Sequence, residues 1–384
     1  MIARRIVLGV LWVLSIVSIS IYGGPLSYGF FFSITLIPVI SFIYTLIVYI
    51  RFRMYQELGS VNIICRNGTP YYLTLQNEDK FAFSCVGVRL YTDLSNVSDL
   101  DEYSEYELLP GDKVRIEKKI ICKYCGEYNV GVKEVIITDL FRIFRFHYRN
   151  PGEQKAFVVP RKIELSSLKS ADEIIRISKR ENRKEQSELD FNLRDFVPGD
   201  RIKDIHWNAT AKEGILKVRT RIGEEKEAIY FYLDNTELKG RQAQVIPVNS
   251  QMKEAAIAIT LYLVRNHIPV LANVSDKSFE LHAPEFFDVF YQAVAGQRFD
   301  NNIDSKTRIL EHANAAFNRK SQSFWCVTST MNEELYNELR KYSEQGMKVL
   351  VYLVNDDLNC QFQTDSDRFK VILISTETEL EEVL

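Results

Sequence analysis

The chain has 384 residues, with 48 Lys and Arg against 51 Asp and Glu and a formal net charge of −3. At roughly 100–200 residues per domain this length predicts two or three domains. The balanced charge excludes a dedicated nucleic-acid binder, a hydrophobic share of 46% excludes a disordered chain, and six cysteines in a chain this long exclude a disulfide scaffold.

The apolar residues are concentrated at the N-terminus. From Ile6 to Ile50 there is no Asp, Glu, Lys, Arg or His. Two runs fill the stretch, residues 6–22 and 30–50, and a helix needs about 20 apolar residues, with a range of about 17–25, to cross a bilayer. The intervening GGPLSYG predicts a turn, and Pro38 a tolerated kink. Arg4 and Arg5 precede the first run, Arg51 and Arg53 follow the second, and the loop is uncharged. The positive-inside rule therefore predicts a multi-pass protein of the cell membrane with both termini cytoplasmic. A signal peptide is the rival reading of the first run. A second uncharged run only seven residues later favours the hairpin.

Residues 58–165 predict a β-rich domain. Short alternating runs at 60–67, 70–77, 81–91, 112–124, 127–138 and 155–160 read as strands of an antiparallel β-sandwich, separated by turn signals such as Asn67-Gly68 and Pro110-Gly111-Asp112. Between Tyr91 and Pro110 lie six acidic residues and no basic one, which predicts a solvated loop. Cys122 and Cys125 form a lone CxxC. A zinc ribbon needs a second pair, so neither metal nor redox function is expected. Residues 169–190 are dense in both charge signs and predict a solvated connector. Its bases could also meet phosphates or anionic headgroups.

The most distinctive phrase runs from Phe191 to Thr236. Pro198-Gly199 suits a type II turn, and Asp200 can cap a short helix passing through Ile205 to Trp207. Trp207 is expected mostly buried at a domain junction, with Arg194 and Asp200 as an ion pair. The order Arg194, Asp195, Phe196, Pro198, Gly199, Asp200, Lys203, Ile205, Trp207, Ala211, Lys212 resembles the bacterial family called domain of unknown function number fifty-eight. Its strand-pair phrase is similar to Gly126-Glu127-Tyr128-Asn129-Val130-Gly131 followed by Asp139-Leu140-Phe141, with Cys125 where Arg is common. The resemblance implies a von Willebrand factor A-like C-terminal half, a MoxR-type AAA+ ATPase as partner, and no established biochemical activity.

The C-terminal half reads as α/β from its pattern alone. Buried strands at 228–234, 269–274, 324–328, 348–354 and 370–375 alternate with amphipathic helices, which predicts a mostly parallel sheet covered on both faces. Asp234 falls at the carboxyl end of the first strand, where such sheets bind ligands. A von Willebrand A domain, by the resemblance, holds a divalent cation with Asp-x-Ser/Thr-x-Ser. Here Asp234 and Thr236 keep their places, Leu238 replaces the last hydroxyl, and Thr328-Ser329-Thr330 offers no carboxylate. No metal and no cofactor are expected. Walker A, dinucleotide-binding, GxSxG and HExxH motifs do not occur, and His206 alone among the five His sits in the signature phrase.

The expected fold is thus a membrane-anchored α+β multidomain chain. It has a transmembrane hairpin (1–55), a β-sandwich-like domain (58–165), a linker with the signature (166–224), and a von Willebrand A-like, Rossmann-like α/β domain (225–384). The expected function is a non-enzymatic, cytoplasm-facing interaction module, an adaptor or substrate of a MoxR-type ATPase. The alternatives are a hydrolase or transferase with a pocket near Asp234 and Asp200, and an envelope-linked lipid or cell-wall sensor.

Overall fold

A computed structural model describes residues 2–149, 152–168, 191–196, 205–221, 228–319, 321, 323–356, 362 and 368–384. It divides into two compact units, residues 1–161 with 241–250, and residues 162–240 with 251–384.

The first unit begins with two helices, α1 (Ile2–Tyr22) and α2 (Pro25–Arg51). Both are long and apolar enough to cross a membrane. The turn is tighter than the sequence suggests: Gly23 adopts φ +59°, and Pro25 opens α2 with its ring preset for the first helical turn. Small polar residues line the buried stripe of α2 (Ser27, Ser41, Thr45), and Ser18 Oγ donates to or accepts from Ser27 Oγ at 3.1 Å. Close backbone approach of this kind is what helix pairs in lipid use. The last third of α2 behaves differently. Val48 and Phe52 are fully buried in the core of the following β unit, with Tyr44 and Tyr49 packed against it.

That β unit contains β1 (Arg53–Leu58), β2 (Asn62–Ile64), β3 (Gly68–Gln76), β4 (Phe83–Leu90), β5 (Ser95–Val97), β6 (Tyr103–Leu108), β7 (Lys113–Cys122), β8 (Gly126–Val130), β9 (Val132–Thr138), β10 (Arg145–Arg149) and β11 (Gln154–Val159). Three sheets form, in the orders β1-β3-β7-β5, β10-β9-β4-β6 and β2-β11-β8. Alternate residues such as Tyr71, Leu73 and Leu75 turn into one shared core with Val86, Val88, Val135 and Ile137. The acidic segment after Tyr91 is not the solvated loop that its charge predicts. It forms β5 and β6, with Glu105 and Glu107 exposed. β6 is a sheet edge, and edge strands tolerate and even favour outward charges, because these deter pairing with other chains. The glycines of the Gly-Glu-Tyr-Asn-Val-Gly phrase bracket β8. Gly131 takes φ +80°, and a Cβ there would lie 2.7 Å from Gln56 Oε1, which explains the residue.

The second unit holds a small antiparallel pair, β12 (Phe191–Asp195) with β13 (Lys217–Arg221), flanking the short helix α3 (Trp207–Glu213). Its main body is a six-stranded sheet of β14 (Ile229–Leu233), β15 (Val270–Val274), β16 (Lys277–Leu281), β17 (Ser323–Thr328), β18 (Lys348–Val354) and β19 (Phe369–Ile374), in the order β16-β15-β14-β17-β18-β19. All neighbours are parallel except β15 and β16. The residues of β14, β15 and β17 are buried throughout, as expected when helices cover both faces. The hairpin strand β16 carries Lys277, Ser278 and Glu280 outward, and the parallel pattern of the sequence does not anticipate it. Helices α4 (Gln242–Arg265), α5 (Phe287–Gly296), α6 (Ser305–Asn318) and α7 (Glu333–Glu344) connect the strands. Ile309, Ala313, Ala316, Leu335 and Leu339 from α6 and α7 join one core with Tyr230, Tyr232, Phe324, Val349 and Val351.

Candidate functional site

The sheet order fixes where a site can form. β14 and β17 are adjacent and parallel, but the chain leaves them toward opposite edges of the sheet, so loops diverge above their carboxyl ends and leave a crevice. Asp234 follows β14 there, and Thr328 ends β17. The Asp234 N–H donates to the Val327 carbonyl at 3.0 Å, which holds the two strand ends in register.

Asp234 is 1% exposed. A buried carboxylate is costly unless its lone pairs are met, and here three hydroxyls meet them. Thr236 Oγ1 and its N–H donate to Oδ1 at 2.7 and 3.1 Å. Ser305 and Thr328 hydroxyls donate to Oδ2 at 2.5 and 2.8 Å. The loop carrying Thr236 is zipped to Asn301: Glu237 N–H donates to the Asn301 carbonyl at 3.0 Å, and the Asn301 side-chain amide donates to Asn235 Oδ1 at 3.3 Å. Ser305 opens α6. Asp304-Ser305 before an amphipathic run is a helix-start signal, so its place on α6 was legible. Its turn inward was not. Asp304 makes no side-chain cap bond, and Ser305 bonds Asp234 instead.

Beneath Asp234, Cys326, Tyr232 and His312 are each pushed toward the neutral form. Burial pushes the Cys326 thiol well above its ordinary range, and the Asp234 charge adds to the effect. Burial does the same to Tyr232, again helped by Asp234. His312 on α6 stacks on the Tyr232 ring at 4.0 Å and bonds the Tyr230 hydroxyl through Nδ1 at 2.9 Å. Burial, then the Arg308 charge, lowers it to about 4. A thiol kept protonated is no nucleophile.

Above Asp234 opens a cleft of about 600 Å³. Leu238, Ile303, Met331 and Leu335 give it apolar walls, and Lys306 stands at its rim, paired with Glu334. The first turn of α7 is capped by Asn332, whose side chain accepts from Leu335 N–H at 2.8 Å. The residues do not suit the divalent cation that a von Willebrand A-like fold implies. Leu238 presents no oxygen, the three hydroxyls direct their protons at the one carboxylate, and among the described residues no three Asp, Glu, His or Cys converge.

The signature residues lie apart from this cleft. Arg194 and Asp195 are in β12, and Asp195 pairs with Lys217 at 2.8 Å. Ile205 is buried in a β-bridge with Val218 rather than in a helix. The helix starts at Trp207 and is capped by His206, whose Nδ1 accepts from Ala209 N–H at 3.1 Å, which gives that histidine a structural task. Trp207 departs from the expected burial: it is 61% exposed, because α3 is a single seven-residue segment that buries none of its side chains, Ala211 included. Pro198, Gly199, Asp200, the Arg194 side chain and the connector at 169–190 lie outside the described residues.

No protein-family model matches the sequence, and no curated protein matches it. Among solved structures the chain is similar to a cohesin module from a Clostridium perfringens family 33 glycoside hydrolase, at 4% identity and TM-score 0.19 over 29% of this chain and 98% of that one. It is also similar to a Bacteroides uniformis β-glucuronidase, at 7% identity and TM-score 0.16 over 78% of this chain and 33% of that one. Cwp6 from Clostridium difficile gives 11% identity and TM-score 0.15 over 78% and 49%. Likenesses at this level decide neither fold nor function.

Proposed function

We propose that the chain is a membrane-anchored protein-interaction module with its folded units in the cytoplasm, related to the domain of unknown function number fifty-eight family, and that its partner is a MoxR-type AAA+ ATPase. The observation that carries the reading is the cleft at the switch point of the sheet. Its lining sets Leu238, Ile303, Met331 and Leu335 among charged residues such as Glu237, Lys239 and Lys306, it lies beside a carboxylate already satisfied by Thr236, Ser305 and Thr328, and the nearby Cys326 thiol is held neutral. Such a pocket suits an inserted side chain of a partner better than bond-breaking chemistry. The doubly wound strand order of the second unit suits the von Willebrand A-like half that the resemblance implies. Two long apolar helices flanked by arginines suit the anchor and its orientation. The rival of a hydrolase or transferase would share this cleft beside Asp234, whose carboxylate is already satisfied, and a lipid or cell-wall sensor rests on the basic connector and the hairpin.

The test is capture from membranes with the full chain solubilised in detergent, beside a Leu238→Arg/Met331→Arg variant that fills the cleft with charge. Recovery of a MoxR-type ATPase with the parent and its loss with the variant support the reading. Equal recovery by both, or none of the ATPase with either, removes it. A cytoplasm-dependent reporter fused after Leu384 should be active, and activity of a strictly extracytoplasmic reporter there would overturn the orientation.

A further inference from the structure

Helix α2 is 27 residues long, about 40 Å at about 1.5 Å per residue, and exceeds a hydrocarbon core of about 30 Å. The structure shows which part is left for lipid. Ser41 donates to the Asp139 carboxylate, which is 0% exposed. Tyr44 Oη donates to the Ala82 carbonyl at 2.7 Å, and Val48 and Phe52 are core residues of the β unit. From Ser41 onward one face of α2 is covered by the β unit, while Ile43, Leu46, Ile47 and Ile50 on its other face stay exposed. The stretch before that contact, 25–40, is roughly 24 Å long.

Helix α1 marks the same level independently. Arg4 Nη1 donates to the Phe141 carbonyl at 3.2 Å, and Arg5 Nε donates to the Ile143 carbonyl at 2.8 Å. Residues 6–22 then offer roughly 26 Å of apolar helix. Both helices thus meet the β unit at the loop between β9 and β10, residues 139–144.

That loop is rigid. Asp139 Oδ1 accepts from Phe144 N–H at 2.7 Å and Oδ2 from Phe141 N–H at 3.1 Å, while Arg142 takes φ +53°. Phe42 of α2 packs on Phe144 and Phe146 with ring centroids 5.5 and 5.8 Å away. Yet Leu140 and Phe141 at its tip are 61% and 53% exposed, beside helices whose own outward faces are apolar. A preordered loop that presents two large apolar side chains next to two arginines has the make-up of a bilayer interface: apolar tips among acyl chains, guanidinium groups at the phosphates.

We propose that the loop 139–144 is a membrane-interface anchor. Leu140 and Phe141 enter the cytoplasmic leaflet, Arg4 and Arg5 lie at its phosphate layer, and the β unit is held flush against the membrane. Stretches of roughly 26 and 24 Å, one at and one just below the short end of the crossing range, make this contact reachable, since thinning of the bilayer brings the headgroups to the loop. The proposal rests on the hairpin reading.

The test uses the full chain in vesicles of phosphatidylcholine and phosphatidylglycerol whose acyl chains carry bromine either near the headgroup or near the bilayer centre. Trp12, about 9 Å along α1 from Ile6 and 44% exposed, reports on the hairpin as the difference between the parent and Trp12→Phe, which retains Trp207 and Trp325. Phe141→Trp in the Trp12→Phe background, read against Trp12→Phe alone, reports on the loop. Shallow bromines should quench the new tryptophan more strongly than deep ones, and deep bromines should quench Trp12 more strongly than shallow ones. Trp12 quenched while the new tryptophan ignores both lipids would overturn the anchor and leave the hairpin standing. Trp12 insensitive to both lipids would overturn the hairpin and the anchor together.

Discussion

Thr328 and Asp234 stand at the ends of neighbouring parallel strands, and the threonine hydroxyl donates to the carboxylate at 2.8 Å while the aspartate N–H closes on the Val327 carbonyl. The pair joins the two halves of the sheet at the point where their loops part. A hydrogen bond to a buried charge contributes about 1.5–3 kcal/mol, a sizeable part of a total stability of roughly 5–15 kcal/mol. Thr328→Val keeps the shape and removes the donor, so urea unfolding should show a loss of about that size. In an Asp234→Asn background the same change should cost clearly less. A Thr328→Val midpoint equal to the parent's would mean that Ser305 and Thr236 suffice for the carboxylate.

His312 gives the α/β unit a predicted pH dependence. Burial and Arg308 lower it from 6.5 to about 4. Between those values the unfolded chain binds a proton that the folded chain refuses, so stability falls as pH drops from 6.5 toward 4 and is insensitive to this group above 6.5. His312→Phe keeps the stack on Tyr232 and should flatten that slope in melting curves. Tyr230→Phe removes the phenol partner but not the imidazole and should retain it. An unchanged slope in His312→Phe would assign the effect to other groups.

Divalent metal should not stabilise the chain. A ligand that binds only the folded state adds about 2.7 kcal/mol at a hundredfold excess over Kd, which a melting curve resolves easily. Millimolar Mg²⁺ or Mn²⁺ should leave the melting midpoint where it is, because among the described residues Asp234 is the one carboxylate bonded to the three hydroxyls, Leu238 supplies no oxygen, and no three Asp, Glu, His or Cys converge. A rise that Asp234→Ala abolishes would show that the hydroxyl cluster does accept a cation.

Trp207→Ala should barely change stability. With 61% of the side chain exposed on a helix that buries nothing, the expected effect lies within about 0.5 kcal/mol. The same substitution is a direct probe of binding, since exposed tryptophans are frequent energetic centres of interfaces. A large loss of thermal stability would mean that Trp207 is covered in the working protein.

Much of the architecture was legible because it follows from local pattern. Long apolar runs mark α1 and α2, and short, predominantly apolar runs mark the strands β14, β15 and β17, which are buried on both faces. The errors fall where local pattern is not enough. The segment after Tyr91 alternates only weakly and is acidic, and its pairing as the edge strand β6 depends on β4, more than ten residues away. Trp207 reads as a core residue from its type alone, and a seven-residue helix that buries none of its side chains leaves it outside.

The candidate site divides along the same line. Asp234 and Thr236 could be named from the sequence, because a carboxylate at the carboxyl end of a buried parallel strand falls where the topology leaves a crevice. Ser305, 71 residues distant, could not be joined to them, and Thr328, 94 residues distant, was joined only through the resemblance. Likewise the sequence by itself determined that two apolar runs precede a folded chain, whereas the depth at which they meet it was decided by Ser41 against Asp139 and by Arg4 and Arg5 against the loop 139–144. Periodicity records how much of a segment is buried. Only the tertiary structure records against what, because hydrogen bonds between residues far apart in the chain leave no mark on local composition.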